Sequence, residues 1–186
     1  MKLRFRSPIH PAPLAAVALP CQALLLGALL SSPLAAADFS VSFTDPAWNG
    51  EKVPEGEQCQ KFGGAGQTPE LSVTGIPGGA NALLLEFSDA SYAPMDNGGH
   101  GKVGFELPAG TVEITVPRAP GHQSELTAPF FVVAEHKAPA WDKAGAYLPP
   151  CSGGRGNRYY LTVKAVHRMG DEIHELASVV LEMGKY

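Results

Sequence analysis

Beyond residue 38 the chain has no apolar run near the roughly 20 residues that a helical membrane span requires, which argues against stable membrane insertion. Basic residues are few. The 14 Lys and Arg stand against 18 Asp and Glu, a net charge of −4, and beyond the first residues they form no cluster. Nucleic-acid binding needs grouped cations to meet phosphates, so that class of function is excluded, as is attraction to an anionic membrane surface. Hydrolase signatures are missing too: no G-x-S-x-G elbow for a serine nucleophile and no H-E-x-x-H for zinc hydrolysis. With no C-x-x-C pair and no His at ligand spacing from a cysteine, neither a metal centre nor a cofactor is expected. No long stretch shows helical periodicity, and Asp171–Leu176 would make at most two turns.

What is present begins with an address. Lys2, Arg4 and Arg6 precede a mostly apolar run from Leu14 to Leu30, and Ser31–Ala37 ends in Ala35-Ala36-Ala37, an A-x-A cleavage site. This order of basic, apolar and small residues is that of a secretory signal peptide over residues 1–37. It predicts a periplasmic or secreted protein. Pro20 in front of Cys21 argues against a lipoprotein site, and Pro20 and Gln22 interrupt the run that an anchor would need. Without residues 1–37 the chain keeps 149 of its 186 residues, enough for one domain with one core. Lys and Arg fall from 14 to 11 against the same 18 acids, so the net charge becomes −7.

Cys59 and Cys151 then remain, an even number in an oxidising compartment, and a disulfide between them is the simplest expectation. Two free buried thiols are the alternative. Between Gly- and Pro-rich turns lie short apolar runs that read as strands: Phe39–Phe43, Leu71–Val73, Ala82–Phe87, Val103–Leu107, Val112–Val116, Phe130–Ala134, Tyr159–Val166 and Ser178–Glu182. Ala82–Phe87 is nearly continuous, as a strand buried on both faces would be. Such a series defines a mainly β domain over residues 38–186, an antiparallel β-sandwich with little helix. Met169-Gly170-Asp171-Glu172 could join two strands tightly.

The richest stretch chemically is Cys151-Ser152-Gly153-Gly154-Arg155-Gly156-Asn157-Arg158-Tyr159-Tyr160, a flexible loop feeding an alternating strand. Backbone N–H groups of such a loop can cradle an anion. Arg158 is expected to pair with a buried carboxylate or carbonyl rather than with a ligand. His122, His136, His167 and His174 share no spacing and are expected at the surface.

Several segments, taken in order, resemble the phosphatidylethanolamine-binding protein (PEBP) family, and its bacterial YbhB/YbcL branch most of all. Gln67–Ser72 and then Gly75-Ile76-Pro77-Gly78-Gly79 are similar to the S-P-P-L-x-W stretch and G-x-P-x-G turn. Ser88-Asp89-Ala90-Ser91-Tyr92-Ala93-Pro94 is similar to the pocket motif D-P-D-A-P with one residue inserted. His100–Pro108 resembles H-W-V-V-x-N-I-P. Tyr147-Leu148-Pro149-Pro150-Cys151 followed by Gly156-Asn157-Arg158-Tyr159 resembles G-P-C-P-P followed by G-x-H-R-Y. Leu181–Tyr186 resembles the closing L-x-G-x-Y.

The resemblance implies a large central antiparallel sheet on a smaller one, with an anion-binding pocket at one end. Family members bind phosphate-like headgroups there, and several modulate protein partners. The implied pocket residues are Asp89, His100, Tyr159, the proline wall Pro149 and Pro150, and the Gly153–Gly156 rim. Asn157 stands where the family has a second histidine and keeps a donor without the charge. Ala90 and Ser91 replace a proline and an aspartate, the tryptophan after His100 is absent, and the long helix before the last strand is nearly missing. A His beside a carboxylate has its charged form favoured, so Asp89 is expected to keep His100 protonated as an anion donor. The expected function is non-catalytic binding of a small anionic ligand or phospholipid headgroup. The competing expectation is an inhibitor of a protease or other protein partner, its pocket vestigial.

Overall fold

In the computed structural model, residues 38–170 and 172–186 are described, so the signal-peptide expectation for residues 1–37 lies outside them. Eight strands follow in chain order: β1 (Ser40–Phe43), β2 (Leu71–Thr74), β3 (Ala82–Asp89), β4 (Lys102–Glu106), β5 (Glu113–Val116), β6 (Phe130–Ala134), β7 (Arg158–Met169) and β8 (Glu172–Lys185). Among the described residues the only helices are two single 3₁₀ turns, Gln60–Phe62 and Ala93–Met95. The strands form a three-stranded sheet, β1-β2-β5, and a five-stranded sheet, β6-β4-β3-β7-β8, with every neighbouring pair antiparallel. The large and small sheets of the expected β-sandwich are both there.

Alternation builds the core. Leu83, Leu85 and Phe87 on β3, Val103 and Phe105 on β4, and Leu161, Val163 and Ala165 on β7 point to one face, where they meet Val41, Leu71, Val73 and Val116 of the small sheet. Burying each such side chain contributes about 1.5–3 kcal/mol relative to exposure. The intervening residues Ala82, Leu84 and Val166 are also buried, under Phe131 and Val133, so β3 is covered on both faces as its continuous apolar run predicts. No helix of the described residues lies on that outer face. Glu86 accepts from Lys102 (3.0 Å) and lies 3.4 Å from Lys164, and Arg168 stacks over Phe131 at 4.2 Å. Long side chains with apolar stems thus do part of what a helix would do.

β8 is the main correction to the strand list. Ser178–Glu182 was expected, with at most two helical turns before it, yet the strand runs from Glu172 to Lys185. The register Met169↔Glu172 leaves two residues, Gly170 and Asp171, between β7 and β8, which is the tight connection the sequence also allowed. Partnering overrides local preference here: a polar stretch holding Glu172, His174 and Glu175 takes extended form because β7 offers it hydrogen bonds along its whole length.

Candidate functional site

A cavity of about 490 Å³ opens at one end of the large sheet, lined by Asp89, His100, Asn157, Tyr159, Arg155 and Trp141 among others. Strand register brings its floor together. Asp89 ends β3 opposite Tyr159 near the start of β7. His100 sits just before β4, held by its N–H on the Phe87 carbonyl (3.0 Å). Leu148 clamps it from the other side: the Leu148 N–H donates to the His100 carbonyl (2.9 Å), and His100 Nδ1–H donates to the Leu148 carbonyl (2.8 Å). This approach requires Gly101, whose φ of 111° suits glycine and whose missing Cβ leaves room for the Ala146 carbonyl.

Asp89 is buried but satisfied. Asn157 Nδ2 donates to its Oδ2 at 2.6 Å, and the Ser91 N–H donates to its Oδ1 at 2.8 Å. Asn157, expected as a ligand donor, is therefore engaged with the Asp89 carboxylate. His100 stands edge-on to Tyr159, with ring centroids 5.2 Å apart. Tyr159 accepts the Cys151 N–H at its hydroxyl (3.2 Å), and burial pushes its phenol up to about 12.

The expected protonation of His100 is overturned. Burial pushes its pKa down to about 4, outweighing the Leu148 hydrogen bond and the Asp89 charge, which both favour the cation. Because a carbonyl can only accept, Nδ1 carries the proton and Nε2 offers a lone pair. His100 is thus a neutral acceptor near pH 7.

The mouth has another character. Tyr92 and Trp141 are exposed there, and Arg155 is the one Lys or Arg side chain among the lining residues. Gly153, Gly154 and Gly156 take positive φ (70°, 75° and 79°), turning the loop around the opening. Its ends are tied down: the Gly156 N–H and Ser152 Oγ–H both donate to the Tyr186 carbonyl, and the Tyr186 N–H donates to the Asn157 carbonyl. Trp141 Nε1–H donates to the Cys151 carbonyl (3.0 Å). The expected disulfide is formed, Cys59 to Cys151 with Cα atoms 5.2 Å apart, and it fixes the start of the loop.

Four of the six ligand residues expected from sequence, Asp89, His100, Asn157 and Tyr159, meet in this cavity. Pro149 and Pro150 do not line it. Pro149 packs against Gly66 and Gly121, and the Pro150 carbonyl accepts the Cys59 N–H (3.1 Å), so both serve the buried wall behind it. Arg158 is exposed and pairs with exposed Glu182 at 3.3 Å, not with a buried carboxylate. His122 and His136, expected at the surface, are buried, and both rings bond the Lys143 carbonyl. Met95 and Trp141 escaped the sequence reading as lining residues, and Arg155 entered it only as part of the Gly153–Gly156 rim. Trp141 left one signal, a tryptophan directly after the Pro- and Ala-rich segment Ala138–Ala140, where no strand would bury it.

No protein-family model and no curated protein matches the chain. Solved structures do, among them these two. One is Escherichia coli YbcL, described as a new member of the mammalian PEBP family, at 18% identity and a TM-score of 0.51, covering 81% of this chain and 98% of that one. The other, a putative phosphatidylethanolamine-binding protein homolog from Chlamydia trachomatis, has 23% identity and the same TM-score, with coverages of 79% and 97%. The chain therefore has the PEBP fold.

Proposed function

We propose that this chain is an exported, non-catalytic member of the PEBP family that binds a small acid carrying an amine or hydroxyl group. The carrying observation is the split of charge within the cavity. The acid group belongs at the mouth, against Arg155 and the backbone of Gly153–Gly156, because the floor already holds the Asp89 carboxylate. The amine or hydroxyl belongs at the floor, where the His100 lone pair can accept from it. A phospholipid headgroup and a free phosphodiester share this chemistry.

Non-catalytic binding is supported by the state of the two groups best suited to proton transfer. Asp89 is bonded to Asn157 and the Ser91 N–H, and His100 to Leu148, so the two form no acid–base pair with each other. The open mouth favours a ligand over a protein partner: Tyr92 is 55% exposed and stands beside the cavity rather than filling it. Export follows from residues 1–37, and the protein recovered from the periplasm or medium should begin at Asp38 by N-terminal sequencing.

Titration calorimetry with glycerophosphoethanolamine tests the ligand class. Wild type should bind, Arg155→Ala should weaken binding at least about tenfold, as loss of a charge-assisted contact does, and added salt should weaken the wild type. Equal affinity in the Arg155→Ala variant would sink this assignment.

A further inference from the structure

Behind the cavity wall a second group of side chains converges, sharing only Cys151 with the proposed ligand site. The Asp142 Oδ2 atom lies 3.8 Å from Cys151 Sγ and 3.8 Å from His122 Nε2, and the Cys59, Cys151 and Asp142 ligand atoms all lie within 4.8 Å of one another. We propose that Cys59, Cys151 and Asp142 bind zinc when the Cys59–Cys151 disulfide is reduced, with His122, 3.8 Å from Asp142 and outside that group of three, moving in as the fourth donor.

Donor chemistry favours it, and so do the distances at Asp142; the two sulfurs must part and His122 must shift toward them. Zinc binds thiolate at about 2.3 Å and imidazole or carboxylate at about 2.0–2.2 Å, so neighbouring tetrahedral donors stand about 3.3–3.8 Å apart. The two separations that meet at Asp142 are at the upper edge of that range without any rearrangement. His122 is 1% exposed, and its Nδ1–H donates to the Lys143 carbonyl at 3.2 Å. This is the outer-shell bond that metal-binding histidines commonly make, and it leaves Nε2 unprotonated, 3.8 Å from Asp142 Oδ2. A weak 3.3 Å contact from the Gln60 N–H to Nε2 is what the metal would displace. Asp142 is also held in place, with Oδ1 accepting the Lys143 N–H (2.8 Å) and Oδ2 the Lys61 N–H (3.2 Å).

In the disulfide both sulfurs are spoken for, so metal binding waits on reduction. A dithiol reductant supplies two electrons and two protons: its S–H groups become a disulfide, and Cys59 and Cys151 become thiols. Zinc uptake releases those two protons as the thiolates form. Because Cys151 also lines the ligand cavity, the site would hold the Gly-rich loop in place of the covalent bond.

The test compares zinc uptake by the purified protein with the disulfide intact and after reduction with a water-soluble phosphine under nitrogen. The reduced protein should take up one Zn²⁺ per chain and the disulfide form none, and Co²⁺ should give the visible bands of tetrahedral thiolate coordination. Cys59→Ser should abolish uptake, and Asp142→Asn and His122→Gln should each weaken it at least about tenfold. Absence of uptake by the reduced chain overturns the proposal, as does unchanged affinity in Asp142→Asn, which is half-buried and the safer variant should His122→Gln fail to fold. If reduction unfolds the chain, Zn²⁺ must restore its near-UV circular dichroism, and failure to do so counts equally against the site.

Discussion

The floor and the mouth of the cavity are built by opposite means. The floor consists of strand ends and their pairing. Asp89, His100 and Tyr159 are buried, with hydrogen bonds that stay inside the protein. The mouth is a glycine loop with an exposed Arg155 and exposed aromatic side chains, held by a disulfide at one end and the Tyr186 backbone at the other. A buried polar group must find its partners within the fold or cost about 1–3 kcal/mol. Groups at the mouth can leave water for a ligand without that cost. The difference teaches where specificity can reside: the floor sets shape and the need for a donor, and the mouth sets charge.

Cutting the mouth loose from the core should have the largest effect. The Cys59→Ser/Cys151→Ser double variant loses a cross-link spanning 92 residues, and loop entropy puts the loss near 4–5 kcal/mol of unfolding free energy. Denaturant titration would measure it, and a loss under about 1 kcal/mol would mean that the mouth is fixed mainly by its hydrogen bonds to Tyr186.

The floor should reveal itself through acid. Burial lowers His100 from 6.5 to about 4 in the folded protein, so between those values the unfolded chain binds more protons and stability rises with pH. The contribution is fully present above pH 6.5 and is lost as the pH falls toward 4, about 3 kcal/mol in all. His100→Asn, whose amide can still donate to the Leu148 carbonyl, should flatten that slope in denaturant melts taken across the window. An unchanged slope would place the acid sensitivity elsewhere.

A smaller change separates floor from ligand. Asn157→Ala removes the 2.6 Å bond to Asp89 and should cost about 1.5–3 kcal/mol, because the bond is to a charged group. Were Asn157 chiefly a ligand donor, melting would barely move while binding fell. Smallest on stability is Arg155→Ala, within about 0.5 kcal/mol as for an ordinary surface change, although its effect on affinity should be tenfold or more.

The floor was largely legible in the sequence because its residues sit at strand ends with a fixed order. The run Leu83–Phe87 leads directly to Asp89, and the Gly-rich loop leads directly to Tyr159. The sandwich was legible for the same reason, through period-two alternation in β1, β5 and β7. Charge state was not. The His100 proton depends on burial by Leu148 and Tyr159, which are 48 and 59 positions away in the chain. The mouth was the least legible part, since Trp141 and Met95 reach it from irregular segments that carry no periodicity. β8 was underestimated because Glu172–Leu176 owes its strand form to β7 and not to its own composition.

The most direct measurement is the dissociation constant of glycerophosphoethanolamine from pH 5 to 8, a range over which its phosphodiester and ammonium keep their charges. With a neutral His100 at the floor and Arg155 supplying the charge, the affinity should stay flat across the range and collapse in Arg155→Ala. An affinity that climbs tenfold on acidification, and no longer does so in His100→Asn, would show that the histidine and not the arginine binds the anion.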